Sequence, residues 1–329
     1  MSALAPTLQA FLTERLIFQR RASPHTIACY RDAFRLLLGF AERKIGKTPA
    51  RLDLEDLDAP LIGAFLDHLE CERHNSVRTR NTRLAAIHSL FRFAVLRHPE
   101  HAGLIERVLA IPSKRFERGI VTFLTNQEVD AILAAPDRDS FLGRRDHALL
   151  LVAIQTGLRV SELIGLRCQD VAFGAGAHVR CLGKGRKERA TPLTTTTAEI
   201  LRVWLNELDG EPADPLFPTR QGSPLSRYGV TVLVARHTKA AAACCSSLAT
   251  KKVSPHVLRH TAAMRLLHAG VDTSVIALWL GHERVETTQI YVHADLSLKE
   301  RALERTAPIT STPGRYRPPD QLLAFLESL

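Results

Sequence analysis

The chain has 329 residues, too many for one small core and suited to two domains. Hydrophobic residues make up 45% and charged residues 24%, an ordinary globular balance that excludes a fibrous or disordered chain. Lys plus Arg number 44 against 34 Asp plus Glu, so the net charge is +10, positive in both halves; this suits a grip on a polyanion, but charge alone fits a basic protein with no nucleic-acid role equally well.

The longest apolar run, Ala148 to Ile154, is too short to cross a bilayer, and no basic stretch followed by a long apolar core opens the chain. The expected compartment is the cytoplasm, with no membrane partner. The six cysteines form no CxxC pair, so neither a zinc ribbon nor a redox motif is indicated, and adjacent Cys244 and Cys245 read as helix filler.

In chain order, residues 1–110 read as helix after helix. Ser23-Pro24 makes a cap followed by a proline in the first turn, where its missing N–H costs nothing. Ile27, Tyr30, Phe34, Leu37 and Leu38 then keep helical spacing. A second stripe runs through Leu61, Phe65, Leu66 and Leu69, and a third from Ser76 through Leu84, Ile87, Leu90, Phe91 and Ala94. The third helix opens with Arg78, Arg80 and Arg83, the candidates in this half for phosphate contacts, against the plainer reading of a solvated helix face. Residues 111–120, with Pro112, Lys114 and Arg115, read as a linker.

Thr125 with Glu128 predicts a capping box, and an apolar helical pattern runs on to about Leu166. The period then changes. Val179, Cys181 and Leu182 before Gly183-Lys184-Gly185-Arg186, and Ala190, Pro192 and Leu193 after it, predict a β-hairpin. Helices resume at about Thr197 and continue past Tyr291. Residues 308–319 read as a tether and residues 320–329 as a short amphipathic helix. The expected class is therefore mainly α, with a helical N-terminal domain and a mostly helical second domain carrying a small antiparallel sheet.

The chemistry concentrates in the second domain. Ser254-Pro255 starts a helix, so His256 and Arg259 share one face near its N-terminus, where free N–H groups favour an anion. Gly270 ends that helix, Asp272 or Thr273 begins the next, Gly281 stops it, and His282 follows directly. Upstream, Arg159 sits just after Gly157, and Lys184 lies on the hairpin tip between glycines. Two guanidiniums can hold the non-bridging oxygens of a phosphodiester and stabilise its transition state. A lysine or histidine can protonate a leaving 5′ oxygen, and a tyrosine can attack and store the bond energy as a phosphotyrosine ester. Neither ATP nor metal nor any other cofactor is then required. His256 and His260 also have the spacing of a zinc pair, but no Glu follows His256 and no acidic third ligand is evident.

Thr156-Gly157-Leu158-Arg159-Val160-Ser161-Glu162-Leu163, Leu182-Gly183-Lys184-Gly185, His256-Val257-Leu258-Arg259-His260, and Leu280-Gly281-His282 through Tyr291 together resemble the tyrosine recombinase (phage integrase) family, its Xer-like branch above all. The resemblance covers residues 121–305 strongly and residues 1–110 more loosely. It implies a SAM-like core DNA-binding domain over 1–110, a linker over 111–120, a catalytic domain over 121–307 and a C-terminal segment over 308–329. It also implies that Arg159 and Arg259 clamp the phosphate, Lys184 protonates the leaving oxygen, and His256 assists proton transfer, as base toward Tyr291. His282 would bond the phosphate, Glu162 would support the first arginine, and Tyr291 would be the nucleophile. Arg186 joins Arg78, Arg80 and Arg83 as an expected DNA contact. Partners implied are double-stranded DNA and a homo-tetramer on two sites, with Leu322, Phe325 and Leu326 of the terminal helix buried on a neighbouring subunit. The expected activity is site-specific recombination through a 3′-phosphotyrosyl intermediate and a Holliday junction, serving a mobile element or, alternatively, Xer-type dimer resolution. A type IB topoisomerase shares this chemistry, a non-catalytic DNA-binding regulator is the reading of another class, and a metal-dependent nuclease lacks an evident carboxylate cluster.

Overall fold

The computed structural model describes residues 4–116, 121–183, 188–282, 288 and 290–291. It divides into two compact units between residues 118 and 119.

The first unit is helical. α1 (Leu4–Ala10) runs into a π-helical turn, Phe11–Gln19, that the sequence pattern does not announce. α2 (Pro24–Ile45), α3 (Ala59–Cys71), α4 (Val77–Ala94) and α5 (Ala102–Leu109) follow. Their starts are set by short polar side chains that satisfy otherwise orphaned N–H groups: Ser23 accepts from the Thr26 N–H, Asp58 from Leu61, and Ser76 from Thr79. The apolar stripes then meet in one core of Leu37, Phe40, Ile62, Phe65, Leu66, Leu84, Ile87 and Phe91. Phe11 packs separately against Tyr30, Phe34 and Phe93, with ring centroids 5.6–6.1 Å apart.

Two of the arginines expected on DNA are committed elsewhere. Arg80 is 5% exposed, and its Nη1 donates to the Pro112 carbonyl at 3.0 Å and to Asn81. Asn81 in turn bonds the Lys114 backbone, so this part of α4 fastens the segment that follows α5. A guanidinium so enclosed cannot lie against a phosphate, which corrects the expectation for Arg80. Arg83 is half-buried and donates to the Cys29 carbonyl of α2 at 3.1 Å. Arg78 is exposed.

In the second unit, Thr125 and Glu128 form the reciprocal box that opens α6 (Asn126–Ala134). α7 (Phe141–Thr156) is buried on most sides and packs against α6, α9 and α11. α8 (Val160–Leu163) is a single turn. The predicted hairpin is β2 (His178–Leu182) with β3 (Glu188–Pro192), in the register Val179 to Thr191 and Leu182 to Glu188. A short strand, β1 (Val171–Ala172), pairs antiparallel on the other edge of β2 to give the order β1-β2-β3. α9 (Thr195–Leu208), α10 (Arg227–Ala241), α11 (Pro255–His268) and α12 (Thr273–Leu280) complete the unit. Alternation along β2 turns Val179 and Cys181 into the core, where Leu149, Leu150, Val152, Leu201, Trp204, Val234 and Leu258 meet them. Fully buried Asp146 takes its α7 neighbour Arg145 at 2.6 Å and, from α10, His237 at 2.8 Å and Arg236, so α7 and α10 are held by a satisfied charge cluster.

Among the described residues no helix is long and apolar enough to cross a membrane.

Candidate active site

The site is built where α7, α11 and α12 end or begin. α7 stops at Gly157, whose backbone turns left-handed at φ +63. A Cβ there would lie 2.6 Å from Leu280 Cδ2 and 3.0 Å from Ala262 Cβ, so the close approach of the three helices requires glycine. Two residues later Arg159 occupies the N-cap of α8. Its own N–H donates to Glu162 Oε2 at 2.8 Å, its Nη1 to Glu162 Oε1 at 2.8 Å, and its Nη2 to the Gly281 carbonyl at 2.9 Å.

Arg259, on the first turns of α11, is 2% exposed. Its Nη1 donates to the Gly157 carbonyl at 2.6 Å and its Nη2 to the Leu280 carbonyl at 2.7 Å. Both acceptors lie at the C-terminal ends of helices, where carbonyls are unpaired and carry partial negative charge. Burial, with the charge of Arg159 adding to it, lowers the Arg259 pKa to about 10, which leaves it charged at neutral pH. The two arginines bond the consecutive carbonyls of Leu280 and Gly281, so their guanidiniums converge on one spot. A guanidinium has five N–H donors, and these contacts take only two from each.

Glu162 is what keeps Arg159 in place. Burial would raise its pKa, but the hydrogen bonds and charge of Arg189, and the hydrogen bonds of Arg159, more than offset this and hold it below the ordinary carboxylate range. Arg189 projects from β3 and reaches both Glu162 oxygens at 3.0 and 2.8 Å. Sequence reasoning missed Arg189. Its partner lies 27 positions upstream, and strand alternation by itself does not distinguish a solvated residue from one reaching a buried carboxylate.

Gly281 ends α12 at φ +62, and His282 follows it. His282 Nδ1 is 2.8 Å from Thr288 Oγ1, and its ring stacks on Tyr291 with centroids 6.4 Å apart and planes 11° from parallel. Tyr291 is 1% exposed, packed with Ala263, Met264, Leu267, Ile276 and Leu280. Burial raises its pKa, while the charges of Arg259 and Arg159 pull it back down. The histidine found at its hydroxyl is His260, whose Nδ1 lies 3.0 Å from the phenol oxygen, where sequence reasoning looked to His256. The His256 ring meets that of His260 edge-on at 4.2 Å. The reason is helical geometry: Arg259 and His260 are neighbours about 100° apart around α11, so one faces the arginine cleft while the other faces Tyr291. In the sequence His260 stands at the end of the His256–His260 motif and as half of a zinc pair, with no catalytic role assigned to it; its signal as a site residue was the i, i+4 spacing from His256.

Burial pushes the pKa of His260 down to about 4, with the charges of His256, Arg259 and His282 acting in the same direction. Burial together with Arg259 and Arg159 does the same to His282. Both imidazoles are neutral at physiological pH. Among the described residues no group of three or more His, Cys, Asp and Glu side chains is placed to hold a metal ion. Lys184 and Arg186 lie outside the described residues, as do Leu322, Phe325 and Leu326; the strands flanking the hairpin tip end at Leu182 and resume at Glu188.

Residues 122–297 match the phage integrase family, and residues 8–98 match the phage integrase N-terminal SAM-like domain. The chain is 58% identical to the integrase/recombinase y4rC of Sinorhizobium fredii over 100% of its own length and 99% of that protein's. It is 32% identical to tyrosine recombinase XerC of Pelobacter propionicus, over 95% and 99%. Its fold is that of the XerH site-specific recombinase solved in a post-cleavage complex with palindromic difH substrate, at a TM-score of 0.70, 24% identity and coverage of 87% and 81%. The chain belongs to the phage integrase family, the tyrosine recombinases.

Proposed function

We propose that this enzyme cleaves and rejoins double-stranded DNA at specific sites by transferring a phosphodiester to Tyr291. The observation that carries this reading is the convergence of Arg159 and Arg259 on the Leu280–Gly281 carbonyls, with Tyr291 packed beneath the same helix end. Their remaining N–H groups hold the two non-bridging oxygens and stabilise the charge that builds up as the phenol attacks. His282 adds a hydrogen bond to the phosphate, and Glu162 supports Arg159. Lys184 protonates the departing 5′ oxygen, and His256 assists proton movement nearby. The product is a 3′-phosphotyrosyl ester and a free 5′ hydroxyl, and the ester keeps the bond energy for rejoining.

Family membership supports four subunits acting on two duplexes and exchanging strands through a Holliday junction, in the cytoplasm with the nucleoid. The spacing of Leu322, Leu323, Phe325 and Leu326 supports a terminal helix, residues 320–329, that docks on a neighbouring subunit. Exposed Arg78, together with Arg186, contributes phosphate contacts. The full-length similarity to an integrase/recombinase favours integration, excision or transposition of a mobile element. The similarity to XerC over 95% of the chain favours a second reading, resolution of chromosome or plasmid dimers.

A suicide substrate nicked beside the cleavage site, recovered by selecting bound sequences, tests the proposal. The wild-type protein is expected to trap a covalent complex that resists denaturation, and Tyr291→Phe none. A wild-type protein that binds its site and never becomes attached would overturn it.

A further inference from the structure

Transfer of a phosphodiester to a phenol requires that the phenol lose its proton. We propose that His260 is the group that takes it, which makes His260 a catalytic residue of this enzyme; this rests on the role proposed above for Tyr291.

The geometry leaves little choice of acceptor among the described residues. His260 Nδ1 is 3.0 Å from the Tyr291 oxygen, within proton-transfer range. Its ring is held from two sides, edge-on against Tyr291 at 5.5 Å and edge-on against His256 at 4.2 Å, so the nitrogen stays aimed at the hydroxyl. The carboxylate of this site, Glu162, has both oxygens occupied by Arg159 and Arg189. Arg159 and Arg259 hold protons and cannot accept another. With Nε2 carrying the hydrogen, His260 Nδ1 presents a free lone pair to the phenol.

In the step itself, the Tyr291 O–H bond breaks and its proton goes to His260 Nδ1. The phenol oxygen forms its bond to phosphorus, the bond from phosphorus to the 5′ oxygen breaks, and that oxygen takes a proton from the general acid. Rejoining runs the same path backwards: the 5′ hydroxyl attacks, and His260 returns the proton to the departing phenolate. Before DNA enters, the proton rests on Tyr291, because burial raises the phenol and depresses the imidazole. An arriving phosphate brings negative charge next to the same Arg259 and His282 that depress His260, so the imidazole becomes a stronger base as the substrate binds. Proton transfer then accompanies formation of the bond to phosphorus.

The test is single-turnover formation of the covalent complex by His260→Asn and His260→Ala on the nicked substrate. Asn keeps a polar group near the position of Nδ1 and cannot accept the proton. Melting temperature and DNA affinity are measured alongside, so that Asn stands if Ala fails to fold. At pH 7 H260N is expected to bind DNA as the wild type does and to cleave about 100-fold more slowly. Its rate should climb tenfold per pH unit toward the wild-type rate as hydroxide replaces the imidazole. A substrate with sulfur in place of the bridging 5′ oxygen, whose leaving group needs no proton, should leave the H260N defect in place. Cleavage by H260N within threefold of wild type, or its recovery with the bridging sulfur, would overturn the assignment. If the wild type itself traps no covalent complex, it is the proposed function that fails; trapping through Tyr291 with H260N undiminished sinks the role of His260 alone.

Discussion

Arg189 holds both carboxylate oxygens of Glu162, at 3.0 and 2.8 Å, and thereby ties the second strand of the hairpin to the cap that carries Arg159. Glu162 is 3% exposed and Arg189 13%, so the pair is not a surface ion pair of negligible worth. Removing Arg189 leaves Glu162 buried with Arg159 alone to balance its charge. Arg189→Ala is expected to lower stability by about 3 kcal/mol, read by denaturant melts. Arg189→Lys should recover only part of this, because an ammonium cannot match the two-pronged contact. Both variants should also slow cleavage more than they weaken DNA binding, because Glu162 is freed to swing Arg159 away from the Gly281 carbonyl.

Gly157→Ala should be costly for a substitution of one methyl group. The left-handed backbone at φ +63 costs a non-glycine residue about 1 kcal/mol, and the new Cβ would sit 2.6 Å from Leu280. Relief requires α12 to move, and with it the Leu280 carbonyl that Arg259 bonds. A lowered melting temperature together with a loss of cleavage is expected; an unchanged melting temperature would show that the helix ends are not packed as described.

Acid should weaken the fold before its carboxylates titrate. His260 and His282 have pKa values near 4 in the folded chain and ordinary values near 6.5 when unfolded. Between these limits the unfolded chain binds more protons, so this share of stability is complete above about pH 6.5 and is lost as the pH falls toward 4. The carboxylate of Glu162, also depressed, contributes above its ordinary value of 4.5 and is lost only below that. Melting temperatures should therefore drop between pH 7 and pH 5 in the wild type and drop less in the His260→Asn, His282→Asn double variant.

Arg78 and Arg80, two positions apart on α4, should respond oppositely. Arg78→Ala is expected to weaken DNA binding uniformly across sequences and to reduce the slope of log affinity against log salt by about 1, without changing stability. Arg80→Ala should destabilise the first unit through loss of the Pro112 contact. Equal effects of the two on the salt slope would contradict the burial of Arg80.

The chain order of helices, the capping residues Ser23, Ser76 and Thr125, the hairpin and the glycine stops at Gly270 and Gly281 were legible in the sequence, because each depends on local chemistry within a few residues; the helix end at Gly157 was not, since the apolar pattern runs on past it. Local patterns did not announce the π-helical turn at Phe11–Gln19 or the edge strand β1. Ser254 precedes α11 as expected but makes no capping hydrogen bond through its side chain.

The sequence by itself determined which chemistry is available: two arginines, histidines and a tyrosine, in an order that resembles one family. Only the tertiary structure decided which of them touch. Arg189 meets Glu162 across 27 positions, His260 meets Tyr291 across 31, and Arg259 reaches carbonyls 102 and 21 positions away. Arg80 and Arg78 belong to the same basic cluster, yet only their place around α4 sends one into the core and the other to solvent. A side chain's type and period are local properties of the chain, whereas its partner is set by how distant helix ends pack, and that packing comes from the whole core at once.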